Sequence, residues 1–321
     1  MLKLLCLLKE KRLALRDLKP DNLFLDADPD TYPGFLKNRR SFSIGVIDVE
    51  TAVSLKPSRD GTIAQPVLGG TPLYATPLHL LRNRTIFSNF GNLEEALHLQ
   101  DWFATLAIIF KAVAGINLFP RAARTFPGIL KILKSSRDRT DPDEATVKAM
   151  SQQFWSAAAT DIKIHLSAFS DVLNQLSLSV PETMAPAIKQ ELEREKALIH
   201  HAIRKHVSLS PLFKSEKNKA FLLEASCDTL AKQVARWENH AQLPEQHQRV
   251  APQMVAFLNN LNRLKQGESE KRLAIAAFAN PPHHVSAYSL LEAMFQIVFR
   301  AMYKSRWKAL PTAAGASAQQ T

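Results

Sequence analysis

The sequence predicts a mainly α-helical protein. Residues 1–140 alternate helices with a few short strands, and an all-helical continuation covers 141–310. Three features predict this. Glycine is scarce (10 of 321 residues) while Leu, Ala, Lys and Gln are plentiful, a composition that favours helix. Short apolar runs bounded by turn residues concentrate before about residue 136. Beyond that point, apolar residues recur every three to four positions.

The elements follow in order. Residues 1–8 are apolar, and Lys9, Glu10, Lys11 and Arg12 come directly after them. With no small-residue cleavage site, this reads as the end of a buried helix and not as a signal peptide. Asn22-Leu23-Phe24-Leu25 and Ile44-Gly45-Val46-Ile47 read as strands. Between them, 26–40 mix Asp, Pro, Gly and basic residues and read as a loop; 61–76, with Pro66, Gly69-Gly70 and Pro72, read as irregular. Helices are expected over 93–115 and 121–134. Asp141-Pro142-Asp143-Glu144 is a helix-start signal. Residues 185–206 place Ile188, Leu192, Ile199 and Ile203 near one face. Further helices fit 220–240 and 252–266. Residues 285–308 are apolar on more than one face, which argues for burial, and Lys304, Arg306 and Lys308 suit the negative pole at a helix end. Pro311 stops that helix, and 311–321 read as a disordered tail.

Composition excludes several classes. Hydrophobic residues make up 46% of the chain, enough for a sizeable core. Forty-one basic against thirty acidic residues give a formal charge of +11, which raises nucleic acid and anionic membrane as partners. The basic residues are scattered in runs no longer than two, so no nucleic acid is expected. The most apolar stretch, 102–119, is interrupted by Lys111 and Asn117, so no membrane span is expected either. Cys6 and Cys227 lie far apart and outside any C-x-x-C. That excludes a disulfide scaffold and a cysteine-rich zinc module, and it fits a reducing cytoplasm.

One stretch carries chemistry: Arg16-Asp17-Leu18-Lys19-Pro20-Asp21-Asn22. Phosphoryl transfer needs a carboxylate near the attacking hydroxyl, a cation for the moving phosphate and oxygen ligands for Mg²⁺. Asp17, Lys19 and Asn22 supply these on one tight loop. Asp48, at the end of the second strand, completes a two-oxygen magnesium site, which suffices because Mg²⁺ keeps phosphate and water ligands.

These residues resemble the C-terminal lobe of the eukaryotic-like protein kinases. Leu15-Arg16-Asp17-Leu18-Lys19-Pro20-Asp21-Asn22 looks like the catalytic loop H-R-D-L-x-x-x-N. Asp48-Val49-Glu50 stands where D-F-G belongs. The stretch 70–78 is similar to the G-T-P-x-Y-x-A-P-E segment, and Asp101-Trp102 to the start of the lobe's buried central helix. The four motifs keep the family's order over about 100 residues. The resemblance implies a kinase-like C-lobe over 1–140 with a helical extension over 141–310. It implies ATP- and Mg²⁺-dependent phosphorylation of Ser/Thr in a protein substrate. Asp17 would be the catalytic base, Lys19 would neutralise the γ-phosphate, and Asn22 and Asp48 would hold Mg²⁺. Thr71 would bond near Asp17 and Lys19, and Asp101 would brace the catalytic loop. Arg16 would receive a phosphate carried by Thr51, Ser54, Ser58 or Thr62.

The departures are specific. The catalytic-loop His is Leu15, the Phe of D-F-G is Val49 (expected as a smaller apolar plug), its Gly is Glu50, and the A-P-E Glu is Leu78. Two spacings, 17–48 and 78–101, are long and are expected to be loops. No G-x-G-x-x-G occurs, and Ala187-Ile188-Lys189 lies in a helical pattern and not in a strand after a glycine turn. The phosphate-transfer half of the family's site is therefore expected without its adenine clamp. Three arrangements fit: a piece of a longer kinase, a chain completed by a separate N-lobe or other partner protein, or a catalytically inactive kinase-like interaction module. The intact Asp17, Lys19, Asn22 and Asp48 favour the first. His200, His201 and His206, on one expected helix, and His283-His284 after Pro281-Pro282 lack metal-ligand spacing, and the helix histidines read as solvated. The four tryptophans read as packing anchors, and Arg39-Arg40 as a solvated loop.

Overall fold

Helix α1 (Leu2–Lys11) ends where Arg12 adopts a left-handed backbone, φ 53°, and turns the chain into strand β1 (Leu13–Ala14). The computed structural model describes residues 1–31, 42–59, 61–135, 142–239 and 244–304. They are mainly helical with small sheets and form two compact units. The first takes Met1–Met184 and the stretch from Ser286; the second takes Ala185–Val285. The division does not fall at 140/141.

In the first unit, β2 (Leu23–Ala27) and β3 (Phe42–Val46) pair antiparallel, with Leu23 opposite Val46 and Ala27 opposite Phe42. Strand β4 (Val53–Ser54) pairs with β1. Phe24 lies across Gly45, where a Cβ would stand 2.1 Å from its ring, so only glycine fits opposite it. Three of this hairpin's large apolar side chains, Phe24, Leu25 and Ile44, stay about half exposed.

Helix α2 (Asn83–Phe90) leads into α3 (Leu93–Ala114), the core helix. Asn92 caps α3 by accepting the Glu95 N–H at 3.0 Å, Glu94 and Glu95 suit its positive pole, and Gly115 ends it at φ 74°. All residues from Ala96 to Ile108 are buried, so the helix is enclosed on every side. By length and composition α3 could cross a membrane, but 78% of its most apolar window is buried inside the fold. Around it pack α4 (Pro120–Ala123), α5 (Phe126–Ser135), α6 (Glu144–Ala168), α7 (Ser170–Gln175) and strand β5 (Ser177–Val180). Asp143 caps α6 through the Thr146 N–H. Phe103 stacks on Phe119 at 4.4 Å, and Trp155 meets Phe103 and Phe154 edge-on. Because Phe154 and Trp155 belong to α6, the first core cannot close before that helix is in place. This is why the unit runs beyond residue 140.

The second unit holds α8 (Ala185–Ser208), α9 (Glu216–Glu224), α10 (Cys227–Glu238), α11 (Glu245–Gln248) and α12 (Ala251–Ala276). Helices α8 and α10 pack on α12. Ile203, Val207, Leu230, Val234, Leu258 and Leu261 fill the core between them. The helix expected over 220–240 is two helices: Ser226 caps α10 by accepting the Thr229 N–H, and the preceding turn ends α9. Strand β6 (His283–Ser286) then precedes α13 (Ala287–Phe299), which returns to the first unit and packs on α3, α6 and α7. Phe295 and Phe299 of α13 join the Trp155 cluster.

Two other expectations change. The 78–101 stretch is not a loop: Pro77–Leu80 form a 3-10 turn, α2 follows, and α3 starts at Leu93. Its apolar residues Ile86, Leu97 and Leu99 are buried, and that burial drives helix there. Val49 is not an apolar plug, because its side chain is 54% exposed. Trp307, Arg306, Lys308, Arg39, Arg40 and the 311–321 tail lie outside the described residues.

Candidate active site

The Asp17 loop is held from beneath by α3. Asp101, with no exposure, accepts the Leu15 N–H and the Arg16 N–H, each at 2.8 Å. Burial pushes its carboxyl up to about 7, against the pull of those two N–H bonds and of the Arg16 guanidinium. Leu18, 1% exposed, anchors the loop apolarly. Pro20 opens a one-turn 3-10 helix, Pro20–Asn22, where its missing N–H costs nothing. Asn22 closes the loop by donating from Nδ2 to the Asp17 carbonyl at 2.9 Å.

Asp17 sits above this frame with both oxygens engaged. Oδ2 accepts from Lys19 Nζ at 2.7 Å and lies 3.4 Å from Asn22 Nδ2. Oδ1 accepts from Thr71 Oγ1 at 3.0 Å and from the Thr71 N–H at 3.3 Å. Burial raises the Asp17 pKa, but the bonds from Lys19 and Thr71 outweigh it and hold the carboxyl below its ordinary value. The bond to Asp17 raises the Lys19 pKa against a smaller effect of burial, with further help from Asp17, Asp48 and Asp21. The group is thus an anion with an ammonium beside it.

Asp48 reaches the same place through the sheet. The Ile47 N–H donates to the Asn22 carbonyl at 2.9 Å, so the strand carrying Asp48 runs against the Asn22 end of the loop. Asp48 takes a left-handed backbone, φ 57°, a strained conformation for a non-glycine residue. Its charge is felt at Lys19. Thr51, just beyond, donates from Oγ1 to the Leu15 carbonyl at 2.8 Å. The structure therefore brings Asp17, Lys19, Asn22, Asp48 and Thr71 together around one loop.

Asn22 and Asp48 offer oxygen donors of the type that magnesium takes. Asn22 Oδ1 and the Asp48 carboxylate make no hydrogen bond among the described residues. Two free hard oxygens match an ion that binds protein through one or two such groups and otherwise keeps phosphate and water. Among the described residues there is no group of three or more His, Cys, Asp or Glu able to hold a metal.

Arg16 departs from expectation. It is 3% exposed, and its guanidinium is committed to protein: Nε to Gln100 Oε1 at 3.1 Å, Nη1 to the Val67 carbonyl at 2.6 Å, Nη2 to the His79 carbonyl at 3.2 Å. Burial brings its pKa down to about 10, partly countered by Asp101. It is not placed to meet a phosphate. Sequence reasoning also missed His79 and Gln100, both fully enclosed. The available signal was a polar residue inside an apolar run, Pro77-Leu78-His79-Leu80-Leu81, where burial forces a hydrogen-bonded role.

A separate groove of about 900 Å³ lies in the second unit, lined by residues that include Glu193, Lys196, His200, Cys227, Lys265 and Glu268. His200 pairs with Glu268 at 2.9 Å, and Lys265 donates to the Leu223 and Ala225 carbonyls. Its charges answer one another and converge on no reacting point. The Asp17 loop, by contrast, directs several side chains at one carboxylate. His206 is not simply solvated: it stacks on Phe257 at 4.3 Å.

No protein-family model, curated protein or solved structure matches this chain.

Proposed function

We propose that the first unit is a protein-kinase-like C-lobe that transfers the γ-phosphoryl group of ATP, with Mg²⁺, to a Ser or Thr hydroxyl of a protein. The observation that carries the proposal is the convergence of Asp17, Lys19, Asn22, Thr71 and Asp48 on one loop braced by Asp101. In this reaction the hydroxyl oxygen bonds to the γ-phosphorus and the β–γ bridging bond breaks to release ADP. Asp17 takes the hydroxyl proton. A carboxylate held ionised is a weak base, but a loose phosphoryl-transfer transition state asks mainly for positioning and charge. Lys19 supplies positive charge, and Asn22 Oδ1 and Asp48 would hold the metal. Residues 1–321 contain no Gly-rich loop, so the adenine side of the nucleotide needs a surface from elsewhere, such as a separate N-lobe. A reducing cytoplasm is the proposed compartment.

The test is Mg²⁺-ATP binding and autophosphorylation of the full chain against Asp17→Asn. Loss of the carboxylate should lower transfer by about 10²–10⁴-fold while nucleotide binding persists. Wild-type protein no more active than the variant removes the enzyme reading for this chain.

A second proposal is a non-catalytic kinase-like interaction module. It draws support from the half-exposed apolar side chains of Leu25, Ile44, Ile47 and Val49, which suit a protein partner. ATP-independent capture by this surface, with no transfer, would favour it.

A further inference from the structure

The segment from Val67 to Leu80 lies across the Asp17 loop and is joined to it at Val67, Thr71 and His79. His79 is 1% exposed. Its Nδ1 lies 3.1 Å from both the Thr76 N–H and the Thr76 carbonyl, and its Nε2 faces the Arg16 carbonyl, an acceptor only, so Nε2 carries a proton. Nε2 then donates to the Arg16 carbonyl at 2.8 Å. The bond is returned, because Arg16 Nη2 reaches the His79 carbonyl, and Gly69 N–H bonds that same carbonyl at 3.0 Å. Arg16 can point its carbonyl at His79 and its N–H at Asp101 because its backbone is left-handed, φ 67°. Gly70 passes directly over the imidazole, where a Cβ would stand 3.0 Å from Cδ2 and 2.9 Å from Ala75.

Three of the groups that could carry or meet a phosphate are already engaged. The Arg16 guanidinium is enclosed and donates to two backbone carbonyls and to Gln100. Thr51 Oγ1 donates to the Leu15 carbonyl. Ser58 Oγ donates to the Thr62 carbonyl at 2.7 Å within its own turn.

We infer that His79 is a positioning residue which, clasped with Arg16, keeps the Asp17 loop assembled without any phosphate on residues 51–70. Regulation of the proposed phosphoryl-transfer site therefore does not pass through phosphorylation of that segment, a consequence that rests on the proposed function; the clasp does not. Burial, and then the neighbouring guanidinium, bring the imidazole pKa down to about 3, so the ring stays a neutral Nε2–H donor at physiological pH.

Hydrogen exchange on the full chain tests this without requiring activity. Losing one buried bond of this kind should speed exchange in 12–25 by about tenfold in His79→Ala, with α6 unchanged. His79→Gln, which keeps an N–H donor, should recover most of the protection. A triple acidic variant, Ser54→Glu, Ser58→Glu, Thr62→Glu, should leave 12–25 within about twofold of wild type. Imidazole NMR of the wild-type protein should show a slowly exchanging Nε2–H that persists below pH 5. If His79→Ala does not fold, the Gln variant and the wild-type NMR decide. Unchanged protection in the Ala variant, a ring titrating near its ordinary value, or tighter protection in the acidic variant would each overturn the clasp. If the chain transfers phosphate, kcat should fall in His79→Ala with the KM for ATP held. A chain without transfer but with the expected exchange pattern removes the proposed function and leaves the clasp standing.

Discussion

The two units use buried polarity in opposite ways. In the first, Asp101, Arg16 and His79 are buried and each bonds the backbone of a distant segment, while buried Asn22 closes its own loop on the Asp17 carbonyl. In the second, the core between α8, α10 and α12 is apolar, with Phe257 among aliphatic side chains, and its charged groups pair side chain to side chain, exposed in His200–Glu268 and largely buried in Lys271–Glu195. A buried polar group bonded to backbone fixes a loop, because leaving it unpaired costs more than pairing it gains. A surface pair fixes almost nothing, since water replaces either partner. The difference locates the candidate chemistry in the first unit, although the second holds a sizeable groove.

The largest effects should come from breaking each unit in its own currency. Asp101→Ala removes the acceptor of two backbone N–H groups and the countercharge of a buried guanidinium, and should cost about 3–5 kcal/mol. Leu261→Ala, at a fully buried position, should cost about 2–5 kcal/mol by leaving a cavity. The two should separate by location. Asp101→Ala should raise exchange around the Asp17 loop and abolish any ATP response, while Leu261→Ala should loosen α8, α10 and α12 alone. Equal loosening of both units by either variant would show that the contrast has no energetic content.

Acid sharpens the contrast at a smaller scale. His79 and His98 are held neutral, with pKa values brought down to about 3 and about 4, in both cases first by burial. The unfolded chain takes up protons at both below about pH 6.5, whereas the fold does not. Their stability contribution is complete above that pH and is lost as pH falls towards the folded values. Asp101 works the other way: its raised pKa makes the fold the better proton acceptor between about 7 and its ordinary value. Two histidines against one carboxyl leave a net loss of about 1.4 kcal/mol per pH unit at most between pH 6.5 and 4. Fluorescence of the buried Trp155 would follow this in the first unit. A first unit equally stable at pH 7 and pH 4.5 would contradict it.

The smallest effect belongs to the second unit's surface. His200→Ala cuts a pair whose imidazole side chain is 54% exposed. Its thermal midpoint should be indistinguishable from wild type, and a drop of several degrees would give the groove an organisation that its geometry does not suggest.

Local features announced much of this. The strands at 23–27 and 42–46, the core helix after Asn92 and the cap at Asp143 follow from apolar runs, turn residues and capping side chains within a few positions. Asp17, Lys19 and Asn22 were legible because they share one short loop. The helix at 83–90 was hidden: spacing alone made it an insertion, and only burial of Ile86 under neighbouring elements makes it ordered. Val49 looked apolar and therefore internal, yet it stays about half exposed. Arg16 looked like a phosphate receiver because sequence reports a charge and not its enclosure.

Sequence alone determined which residues could do chemistry and which segments would coil into helices, because side-chain type and periodicity act over a few positions. Tertiary structure alone decided the unit boundary at Met184, the fate of the Arg16 charge and the part played by His79. Those outcomes depend on desolvation and on hydrogen bonds between atoms more than fifty residues apart. A linear pattern does not record which distant carbonyl a buried donor will meet.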